Sequence, residues 1–171
     1  LFIYKKENQV PVKQNRKKNN YYFDHVLNNL NFELTTSQIC CLDEINQDID
    51  TKLQMKRLLQ GDVGSGKTLV ALSAILNVVE DNKQAVLMSP TDLLSVQHYK
   101  FIKNVTAGLK INVSLLTSKL KKSDKEKILQ NIINGETLII VGTHSLISDN
   151  VEFLKLGIAV IDEQHKFGVN Q

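Results

Sequence analysis

Arginine, cysteine and proline are scarce in this chain: its 171 residues include two prolines and two cysteines, and arginine stands only at positions 16 and 57. Cys40 and Cys41 are sequence neighbours, so a bridge between them would be strained and a disulfide framework is ruled out. Neither has a second cysteine pair or a histidine at metal-ligand spacing, which argues against a zinc site. Both are expected to fill core, and a reducing cytoplasm suits them. His25 and His98 have no convergent partner in the sequence and carry no expected chemistry. No apolar stretch approaches the ~20 residues of a membrane-spanning helix, and no membrane partner is expected. The opening Leu1-Phe2-Ile3-Tyr4-Lys5-Lys6 has neither an initiator methionine nor the layout of a signal peptide, and it reads as a cut rather than a beginning.

Neither sign of charge dominates, the formal net charge being +3. Residues 1–20 hold Lys5, Lys6, Lys13, Arg16, Lys17 and Lys18 against Glu7, and Pro11 interrupts them; they read as the end of a preceding element followed by a basic linker. The rest carries fifteen basic and seventeen acidic residues, so any contact with a polyanion there must be local.

At 42% hydrophobic and 23% charged, the chain is long enough for one globular domain with a sizeable core. Hydrophobic spacing predicts helices over Tyr22–Leu30 and Thr36–Ile49, the latter with Ile39, Leu42, Ile45 and Ile49 on one face. Strands are then predicted at Met55–Gln60, Gln84–Ser89, Asn112–Thr117, Thr137–Gly142 and Gly157–Asp162, with helices at Lys67–Glu80, Asp92–Asn104 and Ser123–Asn134. Runs such as Ala85-Val86-Leu87-Met88 and Leu138-Ile139-Ile140-Val141 do not alternate, as expected of strands covered on both faces. The fold class is α/β, a mostly parallel sheet between helical layers.

Gly61-Asp62-Val63-Gly64-Ser65-Gly66-Lys67-Thr68 fills every fixed position of the phosphate-binding loop pattern, and it lies between a predicted strand and a predicted helix. Gly61, Gly64 and Gly66 let the backbone turn so that successive N–H groups, including that of Ser65, converge on phosphate oxygens. Lys67 supplies a point charge for the β/γ-phosphates, Thr68 a hydroxyl for Mg²⁺, and the following helix its N-terminal dipole. The last predicted strand runs into Asp162-Glu163-Gln164-His165. At the C-terminal end of a parallel strand, Asp162 is suited to hold Mg²⁺ and Glu163 to act as general base on an attacking water. Gln164 and His165 are placed to sense the γ-phosphate. The chemistry implied is nucleotide hydrolysis.

These segments together resemble the superfamily-two helicases, and within them the bacterial branch-migration helicases, over nearly the whole domain. The resemblance implies a RecA-like phosphate-loop lobe over residues 21–171. In Leu34-Thr35-Thr36-Ser37-Gln38 it implies a glutamine motif in which Gln38 reads adenine, so that the nucleotide is ATP. Ser89-Pro90-Thr91-Asp92-Leu93-Leu94-Ser95-Val96-Gln97-His98 resembles a motif that touches DNA, with Thr91 and Gln97 as contacts. Gly142-Thr143-His144-Ser145-Leu146-Ile147 resembles another, with Thr143 and His144. Thr117 belongs to a third, where Ser118 stands in place of the usual glycine and Lys119, Lys121 and Lys122 follow. The string Asp162-Glu163-Gln164-His165 is the most discriminating, since the related transcription-repair coupling translocases order it differently.

By the same resemblance, a second motor lobe and a preceding DNA-binding domain belong to the full protein, this chain being truncated after the Asp-Glu-Gln-His box. Branched or forked DNA is the expected partner of the full protein, in a bacterial cytoplasm, and no oligomer is expected. A strand from beyond Gln171 is expected between the phosphate-loop strand and the Asp162 strand. Neither Arg16 nor Arg57 is placed to serve as the arginine finger that phosphoryl transfer usually needs, so very slow turnover is expected of this chain by itself. Alternatives are the coupling translocase and a nucleotide-binding module that does not hydrolyse; a phosphate-loop kinase lacks a visible acceptor motif.

Overall fold

The computed structural model describes residues 2–5, 20–30, 33–51, 53–148 and 150–163, with the backbone alone for 2–5. The chain divides into two units, Leu1–Asn77 and Val78–Gln171.

In the first unit, β1 (Phe2–Lys5) pairs antiparallel with β2 (Arg57–Gln60), Phe2 opposite Gln60 and Lys5 opposite Arg57. Between them lie α1 (Tyr21–Asn29), with Phe23 and Val26 buried, and α2 (Thr36–Asp50). A reciprocal cap starts α2: the Gln38 N–H donates to the Thr35 hydroxyl and the Thr35 N–H donates to Gln38 Oε1. Its buried face carries Cys41, Leu42, Ile45 and Ile49. Ile39 and Cys40 were expected inside but are exposed, because they project from a different side of the helix than that stripe. Burial pushes the Cys41 thiol pKa up. Arg57 donates to Asp48 and, at 2.7 Å, to Glu44, fastening β2 to α2; the Asp48 hydrogen bond is the largest cause of its raised pKa. Asp48 is buried, so the pair is shielded rather than a loose surface contact.

After β2 comes the glycine-rich loop and then α3 (Lys67–Glu80), with the bounds that the hydrophobic spacing predicts. Leu69, Val70, Leu72, Ile75, Leu76, Val78 and Val79 are all buried, together with Ser73 and Asn77. Residues on every side of the helix are therefore excluded from water.

The second unit is a four-stranded sheet in the order β4 (Val113–Leu116), β5 (Ile139–Gly142), β3 (Gln84–Met88), β6 (Leu156–Ile161), every pair parallel. The crossovers are α4 (Asp92–Val105) after β3 and α5 (Lys122–Ile133) after β4. β3 and β5 are buried at every residue, as their unbroken apolar runs require. β6 is instead partly open, with Leu156 and Ile161 exposed, so the covering expected for all strands stops at β5 and β3. β2 pairs with β1, not within this sheet.

Two local devices set the register. Between Gln84 and Ala85 the pairing with β6 shifts from Leu156 to Ile158, which inserts Gly157 as a bulge. A Cβ at Gly157 would lie 2.3 Å from Val78 Cγ1, so only glycine fits without a shift. Gln84 is buried at the start of β3 and donates to the carbonyls of Ile132 and Thr137 at 2.8 and 2.9 Å, while its oxygen accepts from the Lys155 N–H at 3.1 Å. One side chain thus joins the C-terminal end of α5 to the starts of three neighbouring strands. Gln84→Leu keeps the volume but orphans three backbone groups. It is expected to cost about 3 kcal/mol in urea denaturation, and a loss under about 1 kcal/mol would remove Gln84 from this role.

Candidate functional site

The glycine-rich loop leaves β2 at Gly61 and enters α3 at Lys67. Gly64 and Gly66 have φ of 81° and 85°, the left-handed region that side chains disfavour. The Ser65 N–H donates to the Asp62 carbonyl at 3.2 Å, and the Leu69 and Val70 N–H groups donate to Gly66, which closes the loop onto the first turn of α3. The Lys67 ammonium donates to the Gly61 and Asp62 carbonyls at 2.6 and 2.7 Å and so arches back over the loop. Thr68 is exposed. Among the described residues, the Ser65 hydroxyl oxygen is buried without a partner.

Gln38 meets this loop from α2. Its Nε2 donates to the Ser65 carbonyl at 3.0 Å, while Oε1 serves the α2 cap. The side chain is buried, and a Cβ placed on Gly66 would come within 2.2 Å of Nε2. One amide hydrogen and one lone pair of Gln38 are engaged by the chain itself, a positioning contact that the adenine-reading expectation did not contain.

In the second unit, the parallel strands deliver the remaining candidates to their C-terminal ends, where open α/β sheets bind ligands. Along the sheet order, Thr117 follows β4, Thr143 and His144 follow β5, Ser89-Pro90-Thr91 follows β3, and Asp162-Glu163 follows β6. Thr91, Gln97 and His144 are exposed, whereas Thr117 and Thr143 are buried. Thr91 caps α4 by accepting the Leu94 N–H at 3.3 Å. Asp92 accepts a hydrogen bond from Ser118 at 3.4 Å and lies 3.8 Å from the ammonium of Lys119. The hydroxyl that replaces the usual glycine therefore stitches the exit of β4 to the start of α4. Gly142 is required by contact, since a Cβ there would sit 2.2 Å from the Leu116 carbonyl.

Asp162 bonds through both its backbone and its side chain. Its N–H donates to the Met88 carbonyl at 2.8 Å, continuing the β3–β6 ladder, and its Oδ2 lies 2.8 Å from His98 Nε2. His98, expected to have no partner, is thereby part of this site, and that expectation is corrected. No local pattern reveals the pair, because 64 residues separate its members. The available signal was topological: His98 belongs to the helix after β3, the strand beside β6. Glu163 has φ of 53°, a conformation uncommon for a side chain of its kind. Gln164 and His165 lie outside the described residues.

The model of the DEAD/DEAH box helicase family matches residues 35–171, beginning at the residue that caps α2. The chain belongs to that family. Among DEAD/DEAH box helicases it is similar to the ATP-dependent DNA helicase RecG of Borreliella burgdorferi, 49% identical over 148 residues that make up 86% of this chain and 22% of that protein. RecG of Streptococcus pneumoniae is 48% identical over 83% of this chain and 21% of its own length. A solved structure of RecG bound to a three-way DNA junction matches with a TM-score of 0.83 and 41% identity, over 89% of this chain and 21% of that one. The chain thus spans about a fifth of the length of the relatives it matches. Among its described residues no helix is long and apolar enough to cross a membrane.

Gly64 and Gly66 separate the two demands that the loop of this DEAD/DEAH box helicase makes on glycine. Gly64→Ala meets open space and bears backbone strain alone, about 1 kcal/mol. Gly66→Ala adds a clash with Gln38 and is expected to cost about 3 kcal/mol in thermal denaturation. Equal losses would show that the Gln38 contact does not constrain the loop.

Proposed function

We propose that this chain is the ATP-binding motor lobe of a helicase that couples ATP hydrolysis to movement on double-stranded DNA, branch migration and rescue of stalled replication forks. The observation that carries the reading is the loop itself: two left-handed glycines and a lysine whose ammonium is held over loop carbonyls, at the start of a buried helix. These features support a triphosphate as the ligand. The buried, unpartnered Ser65 hydroxyl and the first-turn N–H groups of α3 are donors of the kind that phosphate oxygens take up.

On this reading Gly61, Gly64, Ser65, Gly66, Lys67 and Thr68 cradle the phosphates, and Gln38 holds the loop with capacity left for an adenine edge. Thr68 and Asp162 are the residues for Mg²⁺, whose part is to neutralise charge on the phosphates. Glu163 is the general base, with Gln164 and His165 beside it in sequence. Thr91, Gln97 and His144 face DNA, with Thr117 and Thr143 behind them. The likeness to RecG favours forked or branched DNA as partner and a bacterial cytoplasm as location, and it favours this reading over a coupling translocase.

Arg57 is engaged by Asp48 and Glu44, so it serves structure rather than catalysis. Nucleotide binding is accordingly the property to measure first. Lys67→Ala is expected to abolish binding of a fluorescent ATP analogue, with the fold retained by circular dichroism. Unchanged affinity would remove Lys67 from its assigned role.

A further inference from the structure

We propose that His98 is a positioning residue for the Asp162 carboxylate, through which α4 links the surface residues Thr91 and Gln97 to the magnesium ligand. The inference rests on the assignment of Asp162 to Mg²⁺ made above, and it adds a residue to which no chemistry was assigned. A carboxylate only accepts, so the 2.8 Å contact is a bond donated by the His98 Nε2–H to Oδ2. The side chains are 14% and 33% exposed, which sets the pair apart from the open surface ion pairs of this unit, such as Lys119–Asp92.

Two of the bonds that hold Asp162 come from one continuous segment. Its backbone is bonded to Met88, the last residue of β3, and its side chain to His98, in the second turn of the helix that follows. That segment also carries Thr91 at the α4 cap, Asp92 bound to Ser118, and the exposed Gln97 next to His98. A displacement of the start of α4 would therefore reach the Asp162 carboxylate through one hydrogen bond. The left-handed backbone of Glu163 begins immediately after the held residue, so orientation of the aspartate and the path of the turn are set together. Carboxylates that ligate metals are commonly hydrogen-bonded in this way, and loss of such a partner typically costs 10–100-fold in metal affinity.

The test measures a fluorescent ATP analogue binding to the chain with Mg²⁺ and with EDTA, in wild type, His98→Ala, His98→Gln and His98→Asn. The readout is the factor by which Mg²⁺ tightens binding. That factor is expected to fall about tenfold in His98→Ala and His98→Asn, and to recover in His98→Gln, whose amide nitrogen has the reach of Nε2. An equal or larger factor in folded His98→Ala overturns the proposal; if that variant does not fold, equal factors in the Gln and Asn variants overturn it. A wild type that binds no nucleotide under either condition sinks the nucleotide reading instead. The histidine assignment is then decided by ¹⁵N NMR of the imidazole: a proton on Nε2 supports it and an Nδ1–H tautomer with bare Nε2 contradicts it.

Discussion

The amide of Gln38 fastens the glycine-rich loop to the first turn of α2, and the placing of the loop against that helix depends on it. One end of the amide completes a capping box with Thr35; the other takes the Ser65 carbonyl. A helix start and a phosphate loop, 27 residues apart in sequence, are thereby held by a single planar group. The other bonds described for the loop run within it and to the first turn of α3. Val63 at its tip is fully exposed, and its two left-handed glycines are costly to order because glycine loses the most freedom on folding. At Gly66 the absent Cβ allows the positive φ and leaves room for the Gln38 amide.

The second unit solves a different problem, which is how to bring distant segments to one edge. Four parallel strands do so by topology, since each must exit at the same end. The glycine bulge at residue 157 and the three-way bond of Gln84 fix the opposite end, and the register they set lets Asp162 bond to Met88. The N-terminal ends are tied by buried, satisfied polar groups, and the C-terminal ends carry Thr117, Thr143, Thr91 and Asp162.

Much of this was legible because it is local. The helix Lys67–Glu80 follows from an apolar pattern starting directly after a complete loop motif, and the strands of the parallel sheet from unbroken apolar runs. What sequence pattern missed depends on partners far along the chain. The pairing of β1 with β2 joins residues more than fifty positions apart, and its first strand lies in the opening segment that was read only as the end of a preceding element. Ile39 and Cys40 look apolar enough for core, yet the stripe facing inward is set by Leu42, Ile45 and Ile49. The alliance of His98 with Asp162 becomes visible only when β3 and β6 are neighbours. The contact of Gln38 with the Ser65 carbonyl was missed because its partner lies 27 residues further along the chain, and the expectation for this residue was adenine alone.

The central claim, that Gln38 acts on the phosphate loop, is tested most directly with a ligand that has phosphates and no base. Affinity for inorganic tripolyphosphate should be measured by calorimetry in the wild-type chain and in Gln38→Ala. If Gln38 holds the loop, the substitution weakens tripolyphosphate binding about tenfold, the equivalent of one lost hydrogen bond of about 1.4 kcal/mol. If tripolyphosphate affinity is unchanged while ATP affinity falls, Gln38 serves the base alone and the account is contradicted.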